Sequence, residues 1–153
     1  MSQTALIMLP MSWDLNSLAE CIQRCKGDGQ MDIGLSTAPT GKLQLNVQRK
    51  GGPYMIASEI VDRVGAAGDY EDEAFPDELR RQFADLRIFF VMFNDFELAR
   101  SAFRCIALGV TRAGGVGWID TDYGWVIRAR DLIARLDEDP GWDWRTAPPD
   151  DAL

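Results

Sequence analysis

Apolar and polar residues alternate over two neighbouring segments of the chain. MDIGLS, from Met31, and LQLNVQ, from Leu43, each place an apolar residue at every second position, and the turn TAPTG separates them. A period of two puts apolar side chains on one face of a strand and polar or small ones on the other. The pattern therefore predicts a half-buried β-hairpin.

Three further apolar runs predict strands. Thr4–Leu9 (TALIML) stops at Pro10, which favours a position at or near an edge of the sheet. Arg87–Phe93 (RIFFVMF) is almost continuously apolar, as expected of a central strand that is covered on both faces. Val116–Ile119 (VGWI) is a shorter run of the same kind. With the hairpin, these runs predict about five strands.

Apolar residues recur at helical spacing elsewhere, which predicts helices over Trp13–Cys25, Phe96–Leu108 and Trp125–Leu136. A short helix is also predicted from Pro76 to about Leu86, because a proline followed by acidic residues is favourable at a helix start.

The segment 54–64 (YMIASEIVDRV) fits either a third antiparallel strand or a helix. Ile56, Ile60 and Val64 are four residues apart, and this spacing favours the helix.

This series of elements predicts an α+β fold, in which a mixed sheet of about five strands carries helices mainly on one face. With 153 residues, 46% of them apolar, the chain has material for a single globular domain, predicted over residues 1–145, and residues 146–153 are predicted to be a disordered tail. No apolar run approaches the roughly 20 residues of a membrane span. With no secretory signal at the start, the sequence predicts a cytoplasmic protein.

Acidic charge is concentrated in two segments. The chain carries 24 Asp and Glu against 16 Lys and Arg, a net charge of −8, and half of the acids lie in Asp69–Glu78 and Asp137–Asp151. Nucleic acids are unfavourable partners, because Lys and Arg supply most of the affinity for phosphates. An acidic surface favours a basic protein partner instead.

Residues typical of catalysis and cofactor binding are scarce. The chain has no histidine, and no GxSxG, GxGxxG or P-loop motif occurs in it. Cys21, Cys25 and Cys105 are an odd number of cysteines with no histidine to complete a mixed zinc site, and we expect reduced, buried thiols. The sequence thus predicts a non-catalytic protein with no cofactor and no metal.

Acidic side chains follow two of the predicted strands. Asn94 and Asp95 follow one strand, and Asp120 and Asp122 follow the next. Because ligands gather at the carboxyl ends of strands in α/β sheets, Asp95, Asp120 and Asp122 together suggest an alternative, a magnesium-dependent phosphotransfer or hydrolytic enzyme. Each group also precedes a predicted helix, however, where Asp and Asn cap the first turn. The sequence favours capping.

Aromatic residues stand inside the acidic segments, and aromatic anchors ringed by charge are typical of protein interfaces. We therefore predict a partner-binding loop, with a solvated charged loop as the alternative. The predicted contact residues are Asp69, Tyr70, Glu71, Asp72, Glu73, Phe75, Asp77 and Glu78, with Asp120, Asp122 and Tyr123 as a second patch.

Trp142 and Trp144, in the second acidic segment, are predicted to dock onto the domain's own surface. A further alternative is a small-molecule-binding regulatory domain whose aromatic residues line a pocket.

The second half of the chain resembles small cytosolic immunity proteins of bacterial toxin–immunity pairs. The resemblance covers Phe89–Leu136 and rests on FFVMFNDFELARSAFRCIALG followed by VGWIDTDYGWVIRARDLIARL. It is a pattern of a hydrophobic strand, a D-x-x-L-A-R helix and a W-x-D-x-D-x-G turn. The resemblance implies a bacterial inhibitor that occludes the active site of a cognate toxin, and it carries over no catalytic residue.

Overall fold

A computed structural model describes residues 3–25, 31–60, 76–121 and 126–146 of the chain. Within these ranges, seven strands form one open sheet. The strands are β1 Gln3–Pro10, β2 Met31–Thr37, β3 Leu43–Arg49, β4 Tyr54–Ile60, β5 Leu86–Phe93, β6 Trp118–Asp120 and β7 Val126–Arg128.

The strands follow the spatial order β2-β3-β4-β5-β1-β6-β7, and every neighbouring pair is antiparallel. The predicted α+β class is therefore confirmed. The predicted number of about five strands and the mixed character of the sheet are wrong. One extra strand is β4, and the other is the three-residue β7, which is too short for periodicity to indicate.

The first strand is internal, although its closing proline predicted an edge. β1 pairs with β5 along its whole length and with β6 through Leu6, Ile7 and Met8. Pro10 is its last residue, where a missing amide does not interrupt either ladder. β5 lies in the middle of the sheet, as predicted, but it is not covered along its whole length, since Phe90 is 38% exposed.

The ambiguous segment after residue 53 is a strand through Ile60, so the helix prediction is wrong there; residues 61–64 lie outside the described ranges. β4 pairs with β3 on one side and with β5 on the other. A spacing of four residues is an even number, so it also places Ile56 and Ile60 on one face of a strand. The two ladders satisfy the backbone and decide between the two structures.

Four α-helices are described, and three of them pack on one face of the sheet. The helices are α1 Leu15–Cys25, α2 Asp77–Gln82, α3 Phe96–Arg112 and α4 Ala129–Glu138, and a 3-10 turn, Phe83–Asp85, follows α2. α1, α3 and α4 bury their apolar stripes against alternate residues of the strands, which confirms the predicted one-sided packing. α2 lies on the opposite face, where Leu79 is fully buried against Met8 and Ile88. None of the described helices combines the length and the apolar character that crossing a membrane requires.

The boundaries of α3 follow from capping. Asp95 is the N-cap, and its side chain accepts a hydrogen bond of 2.7 Å from the amide of Leu98. At the other end Gly114 has φ +78°, and the Gly115 amide donates to the Val110 carbonyl at 2.9 Å. This is the Schellman geometry that glycine favours after a helix. The capping interpretation of Asp95 is confirmed.

Helix α4 begins later than predicted. Val126, Ile127 and Arg128 pair with β6 as β7, and the helix starts at Ala129. The apolar residues at the start of the predicted helix, Val126 and Ile127, are therefore strand residues.

A disulfide links the end of α1 to the middle of α3. Cys25 and Cys105 are joined, with Cα atoms 5.9 Å apart, so the prediction of reduced thiols is wrong for this pair. Cys21 is free and buried, and burial raises the pKa of its thiol. Structural disulfides are uncommon in cytosolic proteins, and the cytoplasmic location stays a prediction.

Gly109 allows the close approach of α3 to α1. A Cβ atom at Gly109 would overlap Cys21 Sγ and lie 3.4 Å from Cys21 Cβ. We expect Gly109→Ala to lower the free energy of unfolding by about 1–3 kcal/mol, because overpacking outweighs the higher helix propensity of alanine. Cys21→Ala removes the sulfur, so the double variant should recover most of the loss. Urea unfolding of all four proteins measures this cycle. A Gly109→Ala protein as stable as the wild type would contradict the packing.

Candidate functional site on the open face of the sheet

The two faces of the sheet are covered unequally by the described residues. One face lies under α1, α3 and α4. On the other, α2 covers a row that includes Met8, Ile88 and Trp118. We call the remainder of that second face the open face. Its residues are Thr4, Leu6, Asp32, Gly34, Ser36, Gln44, Asn46, Gln48, Tyr54, Ile56, Ser58, Phe90, Met92 and Asp120.

The centre of the open face is apolar. Phe90 is paired with Leu6 on one side and with Ser58 on the other, and Met92 is paired with Ile56. Directly opposite residues share a face of the sheet, so these side chains form one patch. Phe90 is exposed, and Leu6, Ile56 and Met92 are half-buried. The described part of the chain therefore leaves an apolar patch partly accessible to solvent.

Neutral polar residues border this patch on the side of β2 and β3. Gln44 lies opposite Ser58 and Ser36, and Asn46 lies opposite Ile56. The Asn46 amide donates a hydrogen bond of 2.6 Å to the Ser36 hydroxyl, which orders this margin. The alternation of β3 thus supplies a polar rim, as its sequence predicted.

Carboxylates stand at both margins of the open face. Asp32 is exposed on the edge strand β2, opposite Gln48. Asp120 is half-buried on β6, opposite Leu6 on one side and Val126 on the other. Asp120 therefore lies beside the apolar patch, and Asp32 lies two strands away from it at the outer margin of the open face.

An ion pair attaches α2 to the sheet beside the open face. Arg128 of β7 pairs with Glu78, and its guanidinium lies over the Trp118 ring, 5.1 Å from the ring centroid. The Trp118 indole N–H donates to Gln82 Oε1 at 3.0 Å. These polar contacts and the buried Leu79 hold a helix of only six residues, which would not be stable alone.

The predicted contact residues are only partly described. Asp69, Tyr70, Glu71, Asp72, Glu73, Phe75, Asp122 and Tyr123 lie outside the described residues. Asp77 is exposed in the first turn of α2, and Glu78 is bonded to Arg128. Glu78 thus has a role within the chain, and its part in partner binding stays a prediction. The structure brings α2 and Asp120 to the same side of the sheet.

The sequence does not predict the apolar patch of the open face. Phe90 was predicted to be covered, because RIFFVMF reads as a strand buried on both faces. The polar residues of β3 were recognised as a solvent-facing row, but not as the border of an apolar patch. Only the pairing of β5 with β4 and β1 places Phe90 beside Leu6 and Ser58.

The suggested magnesium ligands Asp95 and Asp120 lie at different levels of the sheet. Phe93, two residues before Asp95, is opposite Gln3, whereas Asp120 is opposite Leu6. Three residues along β1 correspond to roughly 10 Å. Among the described residues, no group of three or more cysteine and carboxylate side chains is placed to hold a metal ion. The Asp95 side chain also accepts the capping hydrogen bond from the Leu98 amide, and Asp122 lies outside the described ranges.

A groove of about 400 Å³ lies between α3 and the end of α4. It is lined by Glu97, Arg100, Ser101, Arg104, Leu136, Asp137 and Pro140. Arg104 is paired with Asp137 at 2.7 Å, and Arg100 donates to the Trp142 carbonyl at 3.2 Å. The lining contains no aromatic side chain, so this groove is not the aromatic pocket that a small-molecule-binding domain was predicted to have.

The tryptophans of the second acidic segment pack against the domain, as predicted. Trp142 and Trp144 are buried, and Trp144 is stacked on Phe103 with ring centroids 5.7 Å apart. The Arg145 guanidinium lies 4.1 Å from the centroid of the Phe96 ring. Residues 147–153, most of the predicted tail, lie outside the described ranges. The described part of this segment therefore packs against α3, on the side of the sheet that carries the helices.

Asp143 orders the turn that carries these tryptophans. Hydrogen bonds from the Arg145 side chain at 2.7 and 2.8 Å lower the pKa of the Asp143 carboxyl. A carboxyl with a lowered folded-state pKa stabilises the fold above its unfolded-state pKa, and this contribution is lost as the pH falls through the folded-state value.

We therefore expect Asp143→Asn to lower the free energy of unfolding at pH 7 by up to about 1 kcal/mol. The deficit should shrink as the pH falls below the ordinary Asp value of 3.8. Urea unfolding at low ionic strength across this pH range measures the difference. Asp139→Asn is the control, since Asp139 accepts the Gly141 amide in a nearby turn but forms no ion pair in the described residues. A deficit that did not change with pH would contradict the assignment.

Comparison of the chain with protein-family models, with curated proteins and with solved structures finds no match.

Proposed function

We propose that the chain is a non-catalytic inhibitor of the immunity-protein type, which binds a basic partner protein through the open face. The observation that carries this proposal is the arrangement of Phe90 and its half-buried neighbours inside a polar and acidic rim. An apolar centre that excludes water, with a polar border, is the usual composition of a protein–protein interface.

The rigidity of the surface supports this role. Phe90 lies on the central strand, which is paired on both sides and backed by the main core. A side chain presented by a paired strand loses little further freedom on binding, so less of the interaction energy is lost to ordering. Loop residues would cost more to order.

The charge around the open face favours a basic partner. Asp120 lies beside the apolar patch, Asp32 lies at the outer margin of the open face, and Asp77 is exposed on α2. Complementary charge accelerates association and disfavours acidic partners. A toxin enzyme that acts on an anionic substrate has a basic active site, so it is the partner class that this surface fits best.

The acidic segment Asp69–Glu78 is proposed to contact the same partner. Its residues 69–75 lie outside the described ranges, but the elements on either side of the gap are described. Ile60, before it, and Leu79, after it, pack in one cluster on the side of the open face. Both ends of this connection therefore lie beside the open face, which supports a contribution of its carboxylates to the same contact.

The test is binding to the catalytic domain of a toxin encoded beside this chain's gene. We expect tight association and loss of toxin activity. Phe90→Asp should raise the dissociation constant about 30-fold or more, because interface hot spots contribute about 2 kcal/mol or more. Val116→Asp is the matched control, since Val116 is 37% exposed and lies outside the open face. Calorimetric titration measures both. Unchanged affinity of a folded Phe90→Asp protein would refute the open-face assignment.

The acidic segment is tested by association kinetics. Changing Glu71, Asp72 and Glu73 together to lysine should slow association and flatten its dependence on salt. The control set, with the same change of net charge, is Glu20, Asp131 and Glu138, which are exposed on α1 and α4. Equal effects of the two sets would mean that total charge, and not this segment, steers the partner.

A further inference from the structure

Strand β2 is an edge that the described residues leave unprotected. It ends the seven-stranded sheet, it contains no proline or lysine, its register with β3 is uninterrupted, and its one charged residue, Asp32, lies near its start. Natural edge strands usually carry such protecting features, because an unpaired backbone edge is a template for another strand. At the opposite edge β7 has only three residues and leads directly into α4. The two edges therefore differ in their capacity to pair.

The outer half of β2 is exposed and apolar in part. Gly34, Leu35, Ser36 and Thr37 are all exposed, and Leu35 is 39% exposed on the face that carries the helices. Leu43, opposite Thr37 on β3, is 46% exposed on the same face. The helices do not reach this corner of the sheet, so two leucines lie near the edge in contact with solvent.

The hydrogen-bonding pattern shows which peptide groups point outward. The Ala38 amide donates to the Lys42 carbonyl at 2.7 Å, so residues 38, 36 and 34 direct their peptide groups toward β3. The alternate residues Ile33, Leu35 and Thr37 therefore direct theirs to the outer edge.

We propose that two copies of this chain pair through β2, antiparallel and about a two-fold axis at Leu35. In this register Leu35 faces Leu35 of the second copy, and Ile33 faces Thr37. Ile33, Leu35 and Thr37 then exchange pairs of hydrogen bonds with the other copy. Both strands keep their alternation, so apolar side chains meet on the helical face and Gly34 meets Ser36 on the other face.

A second copy fits this edge better than an unrelated strand, because the edge is self-complementary. Asp32 falls outside the paired segment, so no carboxylates are placed opposite each other. From Ile33 to Pro53 the chain has three basic residues and no acidic one, and the net negative charge therefore lies elsewhere. A closed two-fold contact is also the commonest symmetry of protein oligomers. The interface is small, and we expect a weak dimer.

The test introduces opposite charges at Leu35, the residue on the proposed two-fold axis. Analytical ultracentrifugation then measures dimerisation at concentrations from micromolar to near-millimolar. The wild type should show a monomer–dimer equilibrium. Leu35→Lys alone and Leu35→Glu alone should each raise the dissociation constant about tenfold or more, because like charges then lie directly opposite each other. An equimolar mixture of the two variants should dimerise, because only the proposed register places the introduced lysine of one copy opposite the introduced glutamate of the other.

The control pair is Leu43→Lys and Leu43→Glu, which change a leucine of similar exposure one strand inside the edge. We expect their effects on dimerisation to be smaller. A wild type that stays monomeric would overturn the proposal, including the case in which a different protein supplies the pairing strand. Variants at residue 35 that dimerise like the wild type, or a mixture that stays monomeric, would also overturn it. The outcome is independent of the open-face proposal, because sedimentation of the chain alone involves no toxin and Phe90, on β5, lies three strands away from β2.

Discussion

The pairing of β1 with β5 is the contact on which the rest of the structure depends. Eight successive residues of each strand are matched, from Gln3 with Phe93 to Pro10 with Leu86. β5 carries the β2–β3–β4 meander on its other side, and β1 carries β6 and β7. The two halves of the sheet are therefore joined through this ladder. Its partners are distant in sequence, so the chain must close long loops before the ladder forms, which is a slow and entropically costly step in folding.

The unequal covering of the two faces follows from how the chain crosses the sheet. β1 and β2 are connected through α1, and β5 and β6 through α3, and both helices pack on the same face with α4. The disulfide between Cys25 and Cys105 joins the two crossing helices. Only the short α2 is described on the other side. One face is thus a conventional core, and on the other the described residues leave an apolar patch partly exposed.

The candidate site shows how local signals can be correct and incomplete. Asp95 was recognised as a cap because capping depends on the residues immediately after it. The burial of Trp142 and Trp144 was anticipated because exposed tryptophans near an end are costly. The exposure of Phe90 was not predicted, because a continuous apolar run has the same sequence pattern whether the second face of the strand is fully or only partly covered. The ion pair of Glu78 with Arg128, fifty residues later, was not predicted, because no local pattern links two residues so far apart.

The sequence by itself determined the α+β class, the hairpin of β2 and β3, the central position of β5 and the capping of α3. These features depend on side-chain periodicity and on contacts between near neighbours. Tertiary structure decided that β1 is internal, that β4 is a strand and that Phe90 faces outward. Strand order and the covering of a face are set by pairing between residues far apart in the chain, and periodicity carries no information about which strands meet.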